Sequence, residues 1–314
     1  MSKLLVLSYN TCDQAMRGKA YGSAKDLGRK CHSAASDAGS HTVPTPCASN
    51  MAAMVDAIPA AVNQRDGTSY TNYDFVGFQE SSRWESLLTN NQSALAPETL
   101  QKLEAVPHDS VKDASMISFY DKSRWTLVDK INSQCAQSPD GHPVGRPIQI
   151  LVFKEDLIFV NVHNAHGGWN FFTLRTRLSE IISQSINSAT ALKKLAQSRI
   201  VMTGDYNEAA EVPGFSTTPL VWQPFGDVCD EQGEHLIDTK VGLTNPPITC
   251  NRSDGDWSRL KPKHGIESNR PGDFIFDSAS VASPEVPPNF DPAVSTLSDH
   301  KPVIAQLDDG TVSS

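Results

Sequence analysis

The run Ile200-Val201-Met202-Thr203-Gly204-Asp205-Tyr206-Asn207 decides how this chain folds. Three apolar residues and a threonine make a short buried-strand pattern, and Gly204 lets the backbone depart from it sharply. Asp205 and Asn207 are thereby delivered just beyond a strand, where polar side chains can meet a ligand. An Asp-x-Asn after glycine is, by itself, an Asx turn more often than a site. Recurrence of the same arrangement along the chain changes that reading.

Other strand-like apolar runs occupy 3–8, 75–78, 116–120, 148–153, 157–162, 274–276 and 302–305, and many end in a polar residue able to bind something. These are too many for a helical bundle. Between them, Leu174, Leu178, Ile181, Ile182, Ala189, Leu192 and Leu195 are spaced for one amphipathic helix over 172–196. A second helix is expected over 50–62, bent or interrupted at Pro59. Polar connections at 11–49 and 242–271, with a Pro-rich stretch at 283–292, fill most of the remainder. No repeat or linker divides the 314 residues. One domain over 1–307 is expected, with a frayed tail at 308–314. A mixed α/β protein with paired sheets and outer helices follows.

The chain has 27 Lys+Arg against 36 Asp+Glu, a net charge of -9. That is opposite to the basic footprint of a protein that grips nucleic acid through phosphates alone. A metal site built from carboxylates would supply part of the excess, so acidity leaves room for a phosphate substrate reached through cations. No run approaches the roughly 20 apolar residues of a membrane span, and Leu4-Leu5-Val6-Leu7 is too short for a signal-peptide core. A soluble, cytoplasmic monomer is expected, although a mature secreted form would read the same. Cysteines 12, 31, 47, 135, 229 and 250 show no CxxC pair and no short Cys/His spacing, so free thiols are expected.

Five motifs lie in order at or beside the ends of apolar runs: Ser8-Tyr9-Asn10, Phe78-Gln79-Glu80, Asn161-Val162-His163, Gly204-Asp205-Tyr206-Asn207 and Ser298-Asp299-His300. Asp273 completes the constellation. Hydrolysis of a phosphate ester needs a cation for developing charge, a base for water, and donors for the non-bridging oxygens. Glu80 is a hard oxygen ligand for Mg²⁺ or Mn²⁺, and Asn10 can add an amide oxygen without charge. His300 is the candidate base. Its neighbour Asp299 points to the opposite face of an extended segment, so Asp273 is the better orienting carboxylate. Asp205 could bind metal or exchange a proton, Asn207 could donate to a phosphate oxygen, and His163 or His166 could do likewise. Trp169, after Gly167-Gly168, could stack on a planar group or simply pack its loop. The stretch 251–272 is locally basic, with Arg252, Arg259, Lys261, Lys263 and Arg270 around Trp257. It leads directly into Asp273 and could steer a substrate or simply form a solvated loop.

This pattern resembles the endonuclease/exonuclease/phosphatase superfamily, which contains pancreatic deoxyribonuclease-like and exonuclease III-like metal-dependent phosphoesterases. The motifs span Asn10 to His300, nearly the whole chain. The resemblance implies a four-layered α/β sandwich, two packed mixed β-sheets flanked by helices, with a catalytic Mg²⁺ or Mn²⁺. It also implies roles. Asn10 and Glu80 look like metal residues, Asp299 like an accessory metal or water ligand, and His163 like a phosphate contact or acid. Asp205 and Asn207 look like the GDxN pair, and Asp273 with His300 like the acid-base dyad; Asp277 is the fallback if the strand register differs. A nucleotide or nucleic-acid phosphodiester is the implied substrate, with a phosphatase or a lipid phosphodiesterase as the alternative. Ala209 after Glu208 departs from the inositol 5-phosphatase pattern and is similar to the GDxNxA of repair nucleases.

Overall fold

The computed structural model describes residues 3–18, 29, 31–32, 46–88, 98–109, 116–134, 146–163, 198–205, 220–222, 241–243, 250–251, 269–270, 273–277, 281–282, 285–288, 298 and 300–309. Strand β1 (Lys3–Asn10) leads into a short helix α1 (Asp13–Arg17) and a long helix α2 (Pro46–Asp66). There follow β2 (Phe75–Gln79), the helical turns α3 (Glu85–Leu88) and α4 (Glu98–Gln101), β3 (Glu104–Pro107) and β4 (Ile117–Tyr120). The second half opens with β5 (Leu127–Gln134), β6 (Pro147–Phe153), β7 (Leu157–His163) and β8 (Arg199–Asp205). Four short strands come next, β9 (Leu220–Trp222), β10 (Val241–Leu243), β11 (Cys250–Asn251) and β12 (Asn269–Arg270). The chain closes with β13 (Asp273–Asp277), β14 (Val281–Ala282) and β15 (Val303–Asp308).

Two five-stranded sheets dominate, ordered β15-β1-β2-β4-β3 and β13-β8-β7-β6-β5. Each sheet has one parallel pair, β1 with β2 and β7 with β8, and its other pairs are antiparallel. Both members of a parallel pair therefore end on the same edge of their sheet. The mixed, paired-sheet α/β class expected from the sequence is the one observed.

Strand periodicity sorts the side chains into layers. In β1, Leu5, Leu7 and Tyr9 pack with Met51, Val55, Ile58 and Val62 of α2 on the outer face of the first sheet. Leu4 and Val6 face the other way and pack with Phe75, Phe159, Val201 and Ile275, which fills the gap between the sheets. Phe75 and Phe159 stack there with centroids 5.1 Å apart. Each of these buried rings contributes about 1.5–3 kcal/mol relative to exposure. Farther along the same rows the gap turns polar. Gln79 Nε2 donates to Asn161 Oδ1 at 2.7 Å, and a Cβ on Gly77 would lie 2.2 Å from Thr203 Oγ1. Only glycine lets the sheets approach that closely.

The short strands β9–β12 and β14 are not among the apolar runs of the sequence, and within the two five-stranded sheets β3 and β5 escape that pattern as well. Both are sheet edges, and an edge strand half open to water does not need the continuous apolar run that marks a buried one. The helix expected over 172–196 lies outside the described residues. Strand β15 continues through Asp308, which pairs with Lys3. Among the described residues no helix is long and apolar enough to cross a membrane.

Helix α2 is longer than expected and runs through Pro59 without interruption. Proline lacks the N–H that Val55 C=O would accept one turn earlier. The Tyr73 hydroxyl supplies the missing donor at 2.5 Å in a buried setting. Burial also pushes the Tyr73 phenol well above its ordinary pKa, which keeps it protonated and donating. The free-thiol expectation is corrected at Cys31 and Cys47, which are disulfide-bonded with Cα atoms 5.2 Å apart. A spacing of 16 residues carries no motif; only the packing of α2 brings the pair together. A loop of that size stabilises by about 3 kcal/mol through the unfolded chain. Such bonds persist chiefly in oxidising compartments, so the cytoplasmic expectation is not carried forward.

Two predictions follow from these contacts. Tyr73→Phe leaves the Val55 carbonyl buried without its donor and should lower unfolding free energy by about 1–3 kcal/mol in urea titrations; an unchanged midpoint would refute the capping role. His108 Nε2 lies 3.0 Å from Ser133 O and 3.3 Å from Ile148 O and donates between them, tying the edge of the first sheet to the second. Burial lowers its pKa below the ordinary 6.5. The unfolded chain thus binds the proton more readily, so stability should fall as pH drops through and below 6.5. In His108→Gln that part of the slope should vanish, as thermal melts between pH 5 and 8 would reveal.

Candidate active site

Four strand ends converge on one edge of the gap. Asn10 closes β1, and its Nδ2 donates to Asp205 Oδ2, the end of β8, at 2.8 Å. Its Oδ1 accepts from Cys12 N at 2.9 Å. That contact fixes which way the amide points and leaves one lone pair on Oδ1. Glu80 stands immediately after β2 at φ 51, a left-handed conformation that costs a non-glycine residue about 1 kcal/mol or more. Its Oε2 accepts from Asp13 N at 3.2 Å, and its Oε1 lies 3.6 Å from His163 Nε2. His163, fully buried at the end of β7, is also 3.7 Å from Asp205 Oδ2.

The opposite sides of the site come from strand beginnings. Asp273 opens β13 and is paired directly with Asp205 on the antiparallel neighbour β8. His300 lies just ahead of β15, the partner of β1. The His300 ring reaches Asp273 Oδ2 with Nδ1 at 2.8 Å, both side chains buried. An ionised carboxylate can only accept, so Nδ1 carries the hydrogen and Nε2 is the acceptor nitrogen. That Nε2 lies 3.7 Å from Asp205 Oδ2. Ser298 fastens this loop to β1: its hydroxyl donates to Asn10 O at 2.8 Å and accepts from His300 N at 3.1 Å.

The structure thus brings together Asn10, Glu80, His163, Asp205, Asp273 and His300. Asn207, Asp299, His166, Trp169 and Trp257 lie outside the described residues. The fallback Asp277 is at the far end of β13, where Arg199 holds it by two contacts of 2.8 and 2.9 Å. Its role is structural.

One member escaped the sequence reading. Arg146 sits just before β6, with Nη1 2.8 Å from His163 Nε2 and 3.9 Å from Glu80 Oε1. A guanidinium cannot accept, so the imidazole accepts from it. Antiparallel pairing of β6 with β7 carries the start of one strand to the end of the other. The available signal was position: a charged residue directly ahead of the apolar run 147–153.

The donor set suits a hard divalent cation. Glu80, Asp205 and Asp273 place three carboxylates around the site against the guanidinium of Arg146 among the described residues, an excess of partly buried negative charge that a cation would balance. Ligand atoms of Asp205, Asp273 and His300 all lie within 4.8 Å of one another. Because His300 Nδ1 is committed to Asp273, the oxygens of Asn10, Glu80 and Asp205 could more readily hold such a cation.

No protein-family model matches the chain. An uncharacterised protein of Acanthamoeba polyphaga mimivirus is 27% identical over 241 residues, which is 76% of this chain and 41% of that protein. The chain thus spans about two fifths of that relative's length. Solved structures are similar over nearly the whole chain. An endonuclease/exonuclease/phosphatase family protein from Bacteroides thetaiotaomicron superposes with a TM-score of 0.52 at 20% identity, covering 98% of this chain and 95% of its own. A second, from Bacteroides vulgatus, gives 0.51 at 16% identity with 98% and 99% covered. A mannosyl-6-phosphatase of Bacteroides thetaiotaomicron gives 0.51 at 18% identity with 97% and 99% covered. The two face-to-face five-stranded sheets therefore have the fold of these solved endonuclease/exonuclease/phosphatase family structures.

Proposed function

We propose that this protein is a metal-dependent phosphoesterase in which His300 activates water, acting on a phosphodiester of a nucleotide or nucleic acid. The buried contact of 2.8 Å between His300 Nδ1 and Asp273 Oδ2 carries this reading. A carboxylate on one imidazole nitrogen fixes the tautomer and strengthens the other nitrogen as a base. Nε2 then takes the proton from a water held near Asp205, as general base catalysis requires.

The remaining residues supply complementary functions. Arg146 offers planar donors suited to two non-bridging phosphate oxygens, and His163 packs against its guanidinium. Glu80, Asp205 and the second lone pair of Asn10 Oδ1 would hold Mg²⁺ or Mn²⁺. When bound, the cation neutralises charge developing on the phosphate. Asn207 as a phosphate donor, Asp299 as an accessory ligand, and His166, Trp169 and Trp257 as substrate contacts belong to the proposal on the strength of their motifs. The locally basic sequence of 251–272, with Trp257 in it, supports a nucleotide or nucleic acid. A phosphatase acting on a sugar phosphate is the second reading, favoured by the fold likeness to a mannosyl-6-phosphatase.

A panel of phosphodiesters, nucleotides and sugar phosphates with Mg²⁺, Mn²⁺ or EDTA tests both readings. Hydrolysis should stop in EDTA, and His300→Ala should lower kcat by about 10²–10⁴-fold. Asp273→Asn should fall by a comparable factor with KM little changed. Turnover that continues in EDTA, or a kcat unchanged by His300→Ala, overturns the mechanism. Arg146→Ala should lower kcat/KM by about 10²-fold, with Arg146→Lys recovering only part. Unchanged kinetics would remove Arg146 from the phosphate site.

A further inference from the structure

Three cysteines lie directly behind the metal side of the site. The Cys31–Cys47 disulfide packs with Cys12 and Ala15 in a separate buried cluster. Cys47 belongs to the first turn of α2, and Ala15 to α1. The bridge ties the start of the outer helix to Cys31 and packs against the back of α1 through Ala15.

Helix α1 has only five residues, too few to persist without support. Its opening peptides nevertheless orient two site residues: Cys12 N donates to Asn10 Oδ1, and Asp13 N donates to Glu80 Oε2. The two orienting contacts involve strained backbone, since Cys12 is at φ 57 and Glu80 at φ 51. Such conformations last only where the surroundings over-determine them. In front, the Asp13 carboxylate is held by Arg17 Nε at 2.9 Å and by the Ser82 hydroxyl. At the end of α1, the Gly18 carbonyl lies 3.3 Å from His32 Nδ1, one residue after the bridged Cys31. The disulfide anchors the segment that clamps both the back and the end of α1.

We infer that the Cys31–Cys47 disulfide is a positioning brace: by seating α1 it aims Asn10 and Glu80, and it thereby sets the affinity of the site for a divalent cation. This rests on the metal-binding role proposed above for those two residues. Reduction by a small dithiol breaks the S–S bond and forms two cysteine thiols, while the reductant transfers two electrons and two protons and closes to its own disulfide. The affinity of the site then follows the redox state of its surroundings.

Calorimetric titration of the full chain with Mn²⁺ tests the brace without reference to turnover. Three samples are compared: oxidised wild type, dithiol-reduced wild type, and Cys31→Ser/Cys47→Ser. Loss of an outer support of this kind should weaken Mn²⁺ binding by about tenfold in the reduced and double-variant proteins. In the parallel assay the Mn²⁺ concentration for half-maximal rate should rise by a similar factor, with kcat at saturating Mn²⁺ changing less than about threefold. Reoxidation should restore the wild-type affinity. A merely stabilising bond would move the melting temperature and leave the Mn²⁺ affinity in place. Circular dichroism identifies a double variant that fails to fold, and the reduced wild type then decides. Equal affinities in the oxidised and reduced proteins overturn the brace and leave the proposed function standing. An oxidised wild type that binds no Mn²⁺ overturns both.

Discussion

The hydrogen bond from Asn10 Nδ2 to Asp205 Oδ2 joins residues 195 positions apart and closes the polar edge of the gap between the two sheets. The His163 and His300 imidazoles flank that carboxylate, each 3.7 Å from the same oxygen. The contact depends on layers below it. Phe75 and Phe159 fix the sheet separation at the apolar end, and Gln79, Asn161 and Thr203 continue the same inward rows with hydrogen-bonding groups. Polar groups so placed have few alternative partners, so the network specifies one register as well as contributing energy.

Strand direction explains which residues gather. Asn10, Glu80, His163 and Asp205 are at or just beyond the C-terminal ends of the two parallel pairs. Arg146, Asp273 and His300 are at the beginnings of antiparallel neighbours, which necessarily start where the parallel strands stop. Acceptors and donors are thus interleaved around one edge by topology. The histidine pairs with an aspartate that begins a strand of the other sheet, so the dyad bridges the sheets a second time.

The outer layer supports this edge indirectly. Helix α2 covers the first sheet, tolerates Pro59 because Tyr73 satisfies Val55, and carries Cys47 to its bridge with Cys31. Strain at Cys12 and Glu80 is concentrated where α1 meets the site, as expected where geometry is imposed on side chains rather than chosen by them.

Much of this was legible in the sequence. Buried strands announce themselves because the same apolar run that makes a strand also makes its core, and a polar residue at the end of such a run has few reasons to be there. Strand alternation argued only that the partner of His300 is not its neighbour Asp299; the fold supplies Asp273, with Oδ2 2.8 Å from His300 Nδ1. The pattern was silent wherever burial is partial or partners are remote. Edge strands β3 and β5 lack the apolar run, Arg146 is linked to His163 only by antiparallel pairing, and Cys31 meets Cys47 only once α2 is seated. Local periodicity determined the strands, the layer each side chain faces, and the list of chemically able residues. Tertiary structure alone decided which carboxylate, guanidinium and thiol are neighbours, because those contacts depend on strand direction and sheet separation.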